Sequence, residues 1–172
     1  MTNEVRVALQ TTCAAFAKFE VDYLIIGGIA VGLHGYNRVS HGFVPGSGDL
    51  ENDIDLWYRP SIENYYKIIK ALDELGVDTT ELNEKVFDPK TAFMKIPFKG
   101  FHVELLPQMT GVDPFTSCKE RALKFTLDGN ALFVINRYDL LRNKEAIGRE
   151  IDKRDIEELK KNPPSDTENK NG

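Results

Sequence analysis

Apolar positions along the chain recur at two different spacings, one typical of helices and one typical of strands. Residues 3–19 and 62–75 each carry an apolar stripe at near-helical spacing, and Ser61 and Gly76 are placed to cap and to end the second helix. Shorter apolar runs alternate with these helices and predict strands at 23–26, 54–58, 92–96 and 101–106. This alternation indicates the α/β class, with helices packed on a sheet.

The connections between these blocks are of two kinds. Asp128-Gly129 is the strongest short hairpin signal in the chain and predicts an edge hairpin between the apolar runs at 125–127 and 132–134. Residues 35–52 are instead rich in Gly, Ser, His and Asn and are interrupted by Pro45. They predict a long mobile loop in front of an acidic strand, because loops of this length are usually functional or disordered.

The C-terminal segment is helical and then stops. Residues 137–160 indicate two helical segments that meet near Gly148, and Asn162-Pro163-Pro164 ends the second of them. We therefore expect one domain over residues 1–161, followed by a disordered tail over residues 162–172.

The composition of the chain mainly excludes several classes of protein. The chain has 172 residues, of which 41% are apolar and 28% charged, as in one globular domain. No apolar run approaches the ~18–20 residues of a membrane span and no signal peptide is visible, so we expect a cytoplasmic location and no membrane partner. Cys13 and Cys118 are too few and too far apart for a disulfide framework. A net charge of −5 argues against a large nucleic-acid footprint but suits a small anionic substrate.

The most informative motif is Asp53-Ile54-Asp55. Side chains two residues apart on a strand point the same way, so both carboxylates can reach one divalent cation or share two. Alternating acids are also the ordinary pattern of a half-exposed strand, and that alternative stays open. Like charges about 6–7 Å apart repel by roughly 2.5 kcal/mol at an effective dielectric of about 20. A third acid at the same place would therefore favour a cation.

Glu104 is the candidate third acid, because it interrupts an otherwise apolar strand. A buried carboxylate needs a partner, and an ordinary Lys or Arg ion pair is one interpretation. The other is that this strand lies beside the strand of Asp53 and Asp55, so that Glu104 completes a cation site. His102 lies on the same strand face and is either a support for that site or an ordinary packed histidine.

Gly27-Gly28 offers backbone N–H groups at the start of a helix, where a phosphate can bind, although a tight turn explains the same two residues. Better-known motifs are excluded. The run from Gly27 to Gly32 is not G-x-G-x-x-G, and Leu33-His34 stands where a P-loop needs Lys-Ser/Thr. Ile54 stands where a calcium hand requires glycine.

Together these residues resemble the nucleotidyltransferase superfamily typified by DNA polymerase beta. The resemblance rests on Ile26-Gly27-Gly28, Gly35-Tyr36-Asn37-Arg38-Val39-Ser40 and Asp53-Ile54-Asp55-Leu56. It is closer to the small bacterial branch that includes lincosamide nucleotidyltransferases and abortive-infection toxin nucleotidyltransferases. That branch has a late Lys, Gly-Arg, Asp-x-x-Asp pattern similar to Lys144, Gly148-Arg149, Asp152 and Asp155. The likeness spans roughly residues 20–160 and implies a mixed central β-sheet flanked by helices, with a C-terminal helical segment.

The resemblance also implies roles for individual residues. Asp53, Asp55 and Glu104 would be catalytic and would bind Mg²⁺, with two ions expected beside a bound nucleoside triphosphate. The nucleotide would be bound by five residues: Gly27, Gly28, Arg38, Ser40 and Lys144. For Lys144 and Arg149 the alternative is solvated helix charge, paired locally with Glu145 and Glu150.

Three departures from the branch pattern are visible. Roughly eleven residues, about 41–51, separate Ser40 from the acidic strand and either form a lid or displace Arg38. Glu104 stands where Asp is common, and Gly28 replaces a serine whose hydroxyl would contact phosphate.

Two hypotheses follow. The first is a Mg²⁺-dependent nucleotidyltransferase that moves a nucleoside monophosphate to an unidentified acceptor: a small molecule, a tRNA or a protein. The second is a catalytically degenerate module with the same fold that binds nucleotides or proteins. A homo-oligomer that completes the acceptor pocket is compatible with so short a chain.

Overall fold

A mixed β-sheet with helices packed against it organises the molecule. The computed structural model describes residues 3–36, 41–43, 50–84, 88–98, 100–127 and 129–162. The strands are β1 (Tyr23–Ile25), β2 (His41–Phe43), β3 (Leu50–Tyr58), β4 (Met94–Phe98), β5 (Phe101–Leu106), β6 (Leu123–Leu127) and β7 (Asn130–Val134). The helices are α1 (Asn3–Lys18), α2 (Gly27–Leu33), α3 (Ile62–Glu74), α4 (Thr80–Glu84), α5 (Phe115–Glu120), α6 (Arg137–Ile147) and α7 (Glu150–Lys161).

The strand order is β4-β5-β3-β1-β7-β6, with β2 paired to the beginning of β3. Strand β3 is antiparallel to β1 and parallel to β5, and β1 is parallel to β7. The sheet is therefore mixed, as predicted. The acidic motif lies on its central strand, next to the strand that carries Glu104.

The core lies where the helices cover the sheet. Helix α1 packs against α3 and β7, and α2 contacts β3. Ser61 caps α3 through its Oγ, which accepts a hydrogen bond from the Asn64 N–H at 3.2 Å, as the sequence predicts. The predicted apolar stripe of α3 is buried, and it includes Ile68 and Leu72.

Several predicted elements are confirmed. Strands β6 and β7 form the predicted antiparallel hairpin, paired from Leu123↔Val134 to Leu127↔Asn130, with β6 at the sheet edge. Helices α6 and α7 meet at Gly148, which caps α6 with φ +70°. Cys13 and Cys118 are free and buried. Among the described residues, every helix is too short or too polar to cross a lipid bilayer.

Two predictions about local structure are wrong, and two short helices were missed. The stretch expected to be a loop contains β2, which pairs with β3 from His41↔Asn52 to Phe43↔Leu50 and so extends the acidic strand backwards. Strand β4 does not end at Pro97 but continues to Phe98, because an edge strand tolerates a residue without an N–H donor. The short helices α4 and α5 were not predicted, because five or six residues carry too little periodicity.

Candidate functional site

Three carboxylates line one cleft. Asp53, Asp55 and Glu104 face a cavity of about 440 Å³ whose wall also contains Gly27 and Gly28. The strand pairing explains the convergence, since Asp55 lies directly opposite Glu104 on β5. Residues opposite each other on adjacent strands present their side chains to the same face of the sheet. The structure thus brings the three predicted acids together.

The glycine turn holds Asp55. The backbone N–H of Gly28 donates a hydrogen bond to the Asp55 carboxylate. Gly27 has φ +61°, and a Cβ at this position would lie 1.9 Å from Asp55 Oδ2. A side chain at position 27 is therefore excluded both by the left-handed backbone conformation and by the carboxylate. In this structure the turn predicted to bind phosphate positions a carboxylate.

The Asp55 carboxylate is under electrostatic strain. Burial, followed by the charges of Glu104 and Asp53, raises the pKa of its carboxyl from 3.8 to about 6. Lys144 and the Gly28 N–H act in the opposite direction but do not compensate. Burial disfavours the charged form and neighbouring like charges do the same. The cluster would be relieved by a positive charge.

One such charge is already present. Lys95 Nζ lies 2.8 Å from Glu104 Oε1, and the pair joins β4 to β5. Glu104 therefore combines both interpretations of the sequence: it lines the cleft beside Asp55, and it has a basic partner. Sequence reasoning missed Lys95, although Lys99-Gly100 was a usable signal. In the structure Phe98 lies opposite Phe101 and Lys95 opposite Glu104, which is the register that a two-residue hairpin connection sets.

His102 is packed beside Asp53. It lies opposite Asp53 in the β3–β5 register and is buried, with Nδ1 4.0 Å from Asp53 Oδ1. This is the packed position that the sequence left open, and it places an imidazole next to the first acid of the motif.

Lys144 is not the solvated helix charge considered from the sequence. Its side chain is 4% exposed, with Nζ 2.7 Å from Asp155 Oδ2 and 3.2 Å from Asp152 Oδ1. Both partners lie on α7 and are fully buried, so the ion pairs join α6 to α7. Glu145, the local partner considered from the sequence, pairs with Lys160 instead. The sequence could not show this burial because it depends on how the two helices pack.

Arg149 shares the same carboxylate. Its Nε lies 2.7 Å from Asp152 Oδ2, and its backbone N–H donates to the same oxygen at the start of α7. Burial opposes ionisation of Asp152, but the hydrogen bonds and charges of Arg149 and Lys144 outweigh it and lower the carboxyl pKa. Glu150, expected as the partner of Arg149, pairs with Lys153.

The remaining wall of the cleft is partly apolar. Met109, Ile147 and Ile151 line it, and the two isoleucines are 42% and 43% exposed. The loop after β5 is fixed to α6 by Asn143 Nδ2, which donates to the Thr110 carbonyl at 2.9 Å. This wall was not found from the sequence, because it is assembled from a loop and two helix ends.

Two predicted nucleotide-binding residues, Arg38 and Ser40, lie outside the described residues. The other three, Gly27, Gly28 and Lys144, all line the cleft.

The donor set fits a divalent cation in its chemistry, since carboxylate oxygens are the ligands that Mg²⁺ prefers. Asp53 and Asp55 share one strand face, and Asp55 is destabilised by its neighbours' charges. Among the described side chains, no three His, Cys, Asp or Glu groups are already arranged to hold a metal. Glu104, the third oxygen donor, contacts the ammonium group of Lys95 instead.

Comparison with known proteins adds a structural similarity. No protein-family model matches the chain, and no curated protein matches it. The chain is similar to a crystal structure of an antigenic nucleotidyltransferase-like protein from Paracoccidioides brasiliensis, with 18% identity and a TM-score of 0.48 over 92% of this chain and 76% of that chain. A similarity at this level does not assign an activity.

Proposed function

We propose that this chain is a Mg²⁺-dependent nucleotidyltransferase that moves a nucleoside monophosphate from a nucleoside triphosphate to an acceptor, with release of pyrophosphate. One observation supports the proposal most. Asp53, Asp55 and Glu104 face a cleft that also contains the basic groups of Lys144 and Arg149. Proteins bind magnesium through one or two carboxylates together with substrate phosphates, so carboxylates and cations on one cleft suit a metal-bound triphosphate.

In the proposed reaction the acceptor oxygen attacks the α-phosphorus, the bond from that phosphorus to the oxygen bridging to the β-phosphate breaks, and pyrophosphate leaves. Asp53 and Asp55 would hold the Mg²⁺, which when bound neutralises charge on the attacking and leaving oxygens. Glu104 would take the proton of an acceptor hydroxyl after its release from Lys95. Lys144 lies at the cleft wall, where its positive charge would attract the negatively charged phosphates.

A second candidate function is a nucleotide-binding or protein-interaction module without catalysis. It is favoured by the ion pairs of the site, because Glu104 is held by Lys95 and Lys144 by Asp152 and Asp155. In such a module these pairs would persist when a ligand binds.

An assay with nucleoside triphosphates labelled at two different phosphates separates the two candidate functions. The protein is incubated with Mg²⁺ and each nucleoside triphosphate labelled at the α- or γ-phosphate, with small hydroxyl compounds, tRNA and the protein itself as acceptors. Transfer of the α-label with release of γ-labelled pyrophosphate supports the enzyme. Release of γ-labelled inorganic phosphate indicates hydrolysis and contradicts it. Triphosphate binding in calorimetry, without any release, supports the module.

Asp53→Asn is the matched control for that assay, since the amide keeps the size of the side chain and removes its charge. Activity that survives this substitution comes from a contaminant or from another site.

A further inference from the structure

Lys95 and two of the acids form one row across the sheet. Lys95 on β4 lies directly opposite Glu104 on β5, and Glu104 lies directly opposite Asp55 on β3. Directly opposite residues share a face, and Asp53 joins that face through the two-residue repeat of a strand. The ammonium group therefore lies on the same side of the sheet as all three carboxylates.

The field of the carboxylates acts on Lys95. Its side chain is 32% exposed and that of Glu104 22%, and the two groups are in contact at 2.8 Å. The pKa of Lys95 is raised, first by its hydrogen bond to Glu104 and then by the charges of Glu104, Asp53 and Asp55, against an opposing effect of burial. Lys95 thus stabilises the whole acidic cluster as well as its direct partner.

The charges of Lys95 and the three carboxylates do not cancel. When all groups are ionised, the three carboxylates and the one ammonium sum to two negative charges, the charge that one divalent cation neutralises. Lys144, the other nearby ammonium, is already balanced by Asp152 and Asp155.

We propose that Lys95 is a built-in counter-ion of the acidic cluster, and that a divalent cation gains Glu104 as a ligand only when Glu104 exchanges Lys95 for the metal. The inference rests on the proposed function, because it concerns the same cation site. It makes Lys95 a positioning residue: it holds the site together before the cation binds, and it competes with the cation afterwards.

The geometry allows this exchange. A partly exposed ion pair is weak in water, and the four-carbon stem of lysine can move the ammonium group into solvent. A divalent ion between carboxylates offers Glu104 a stronger electrostatic partner than an ammonium group does.

The experiment measures cation binding without nucleotide. Mn²⁺ is titrated into the full chain and followed by electron paramagnetic resonance, with wild type, Lys95→Met, Lys95→Arg, Glu104→Gln and Lys95→Met/Glu104→Gln compared. Lys124→Met on the opposite edge strand β6 is the control for loss of a lysine in general. We expect Lys95→Met to bind Mn²⁺ about 5- to 20-fold more tightly than wild type, because a competing charge is removed. Lys95→Arg and Lys124→Met should bind as wild type does.

The double variant separates competition from a structural effect. In the Glu104→Gln background the gain from Lys95→Met should disappear, because no third carboxylate is left to release. In chelator, Lys95→Met should also unfold at a lower temperature than wild type, and Mn²⁺ should restore more of its stability. Lys95→Gln replaces Lys95→Met if near-ultraviolet circular dichroism shows that the latter is not folded.

Equal or weaker Mn²⁺ binding by folded Lys95→Met overturns the inference and leaves nucleotidyl transfer by the wild type unaffected. Absence of Mn²⁺ binding by every variant overturns both the inference and the metal dependence of the proposed function. Tighter binding by Lys95→Met in a protein that transfers no nucleotide supports the inference and rejects the enzyme.

Discussion

Asp55 Oδ2 occupies the space that a side chain at position 27 would fill. A Cβ on Gly27 would lie 1.9 Å from this oxygen, and the next residue, Gly28, donates its N–H to the same carboxylate. The glycine turn and the second acid of the motif therefore form one unit. The turn holds the carboxylate at the cleft, and the carboxylate in turn restricts position 27 to glycine.

Gly27→Ala should consequently destabilise the fold and displace Asp55. A left-handed conformation costs a non-glycine residue about 1–2 kcal/mol, and forced overlap adds about 1–3 kcal/mol. Urea unfolding should therefore show a loss of about 2–5 kcal/mol. Gly76→Ala is the control, because Gly76 has φ +79° with open space around its missing Cβ. If the two variants lose the same stability, the contact with Asp55 has no role.

Asp55→Asn should stabilise the metal-free protein at neutral pH. The pKa of Asp55 is raised to about 6 in the folded state, from its ordinary value of 3.8. A raised carboxyl pKa means that stability is highest when the group is protonated and is lost as pH rises from about 4 through 6. The asparagine variant escapes that loss, so its advantage in chelator should be near zero below pH 4. Above pH 6 it should reach about 1–3 kcal/mol, at about 1.4 kcal/mol per pKa unit.

Asp78→Asn is the control for the direction of this pH-dependent change in stability. The pKa of Asp78 is lowered, chiefly by hydrogen bonds from Thr80, so its charged form stabilises the fold and its replacement should lower stability towards neutral pH. An Asp55→Asn curve that runs parallel to wild type at all pH values would contradict the electrostatic account of the site.

The three acids show which features of the site can be predicted from the sequence and which cannot. The alternation of Asp53 and Asp55 is local, and a strand turns both to one side whatever surrounds it. Glu104 was predicted as a third member because an acid within an apolar strand needs a partner. Its register opposite Asp55 could not be derived, because β3 and β5 are parallel and joined by a long connection that sets no register.

Other parts of the site depend on contacts that sequence patterns do not encode. Lys144 looks like an ordinary surface lysine in a polar helix, and only the packing of α7 against α6 buries it between two aspartates. The apolar wall of the cleft comes from separate segments that share no repeat. Lys95 is the exception, since the short turn of the β4–β5 hairpin fixes its position opposite Glu104.

Lys144→Met should be among the most destabilising substitutions in the chain. The substitution removes the ammonium group that pairs with two fully buried carboxylates, Asp152 and Asp155. Asp152 still has its ion pair with Arg149. Removing one partner of a buried ion pair costs about 3–5 kcal/mol, because the buried negative charge is then less well compensated. Urea unfolding at pH 7 measures the effect, and acidification that protonates the aspartates should narrow the difference from wild type.

Lys153→Met is the matched control for Lys144→Met. Lys153 lies on α7 and pairs with Glu150, but both side chains are exposed, so the loss should be at most about 1 kcal/mol. Similar losses in both variants would mean that burial of Lys144 contributes nothing to stability.

Asp53→Asn and Asp55→Asn should each reduce nucleotidyl transfer by at least about 10³-fold, since a carboxylate that holds the cation acts in the transition state and several kcal/mol depend on it. The two variants should differ in stability, because Asp55→Asn also removes the strained carboxylate whose pKa is raised. Pyrophosphate release at saturating Mg²⁺ and triphosphate, measured alongside urea unfolding, separates the two effects.

Asp73→Asn on helix α3, outside the cleft, should retain wild-type turnover. Loss of activity without loss of stability in both cleft variants is the result that a catalytic role requires, whereas turnover equal to wild type in either one removes that residue from the reaction.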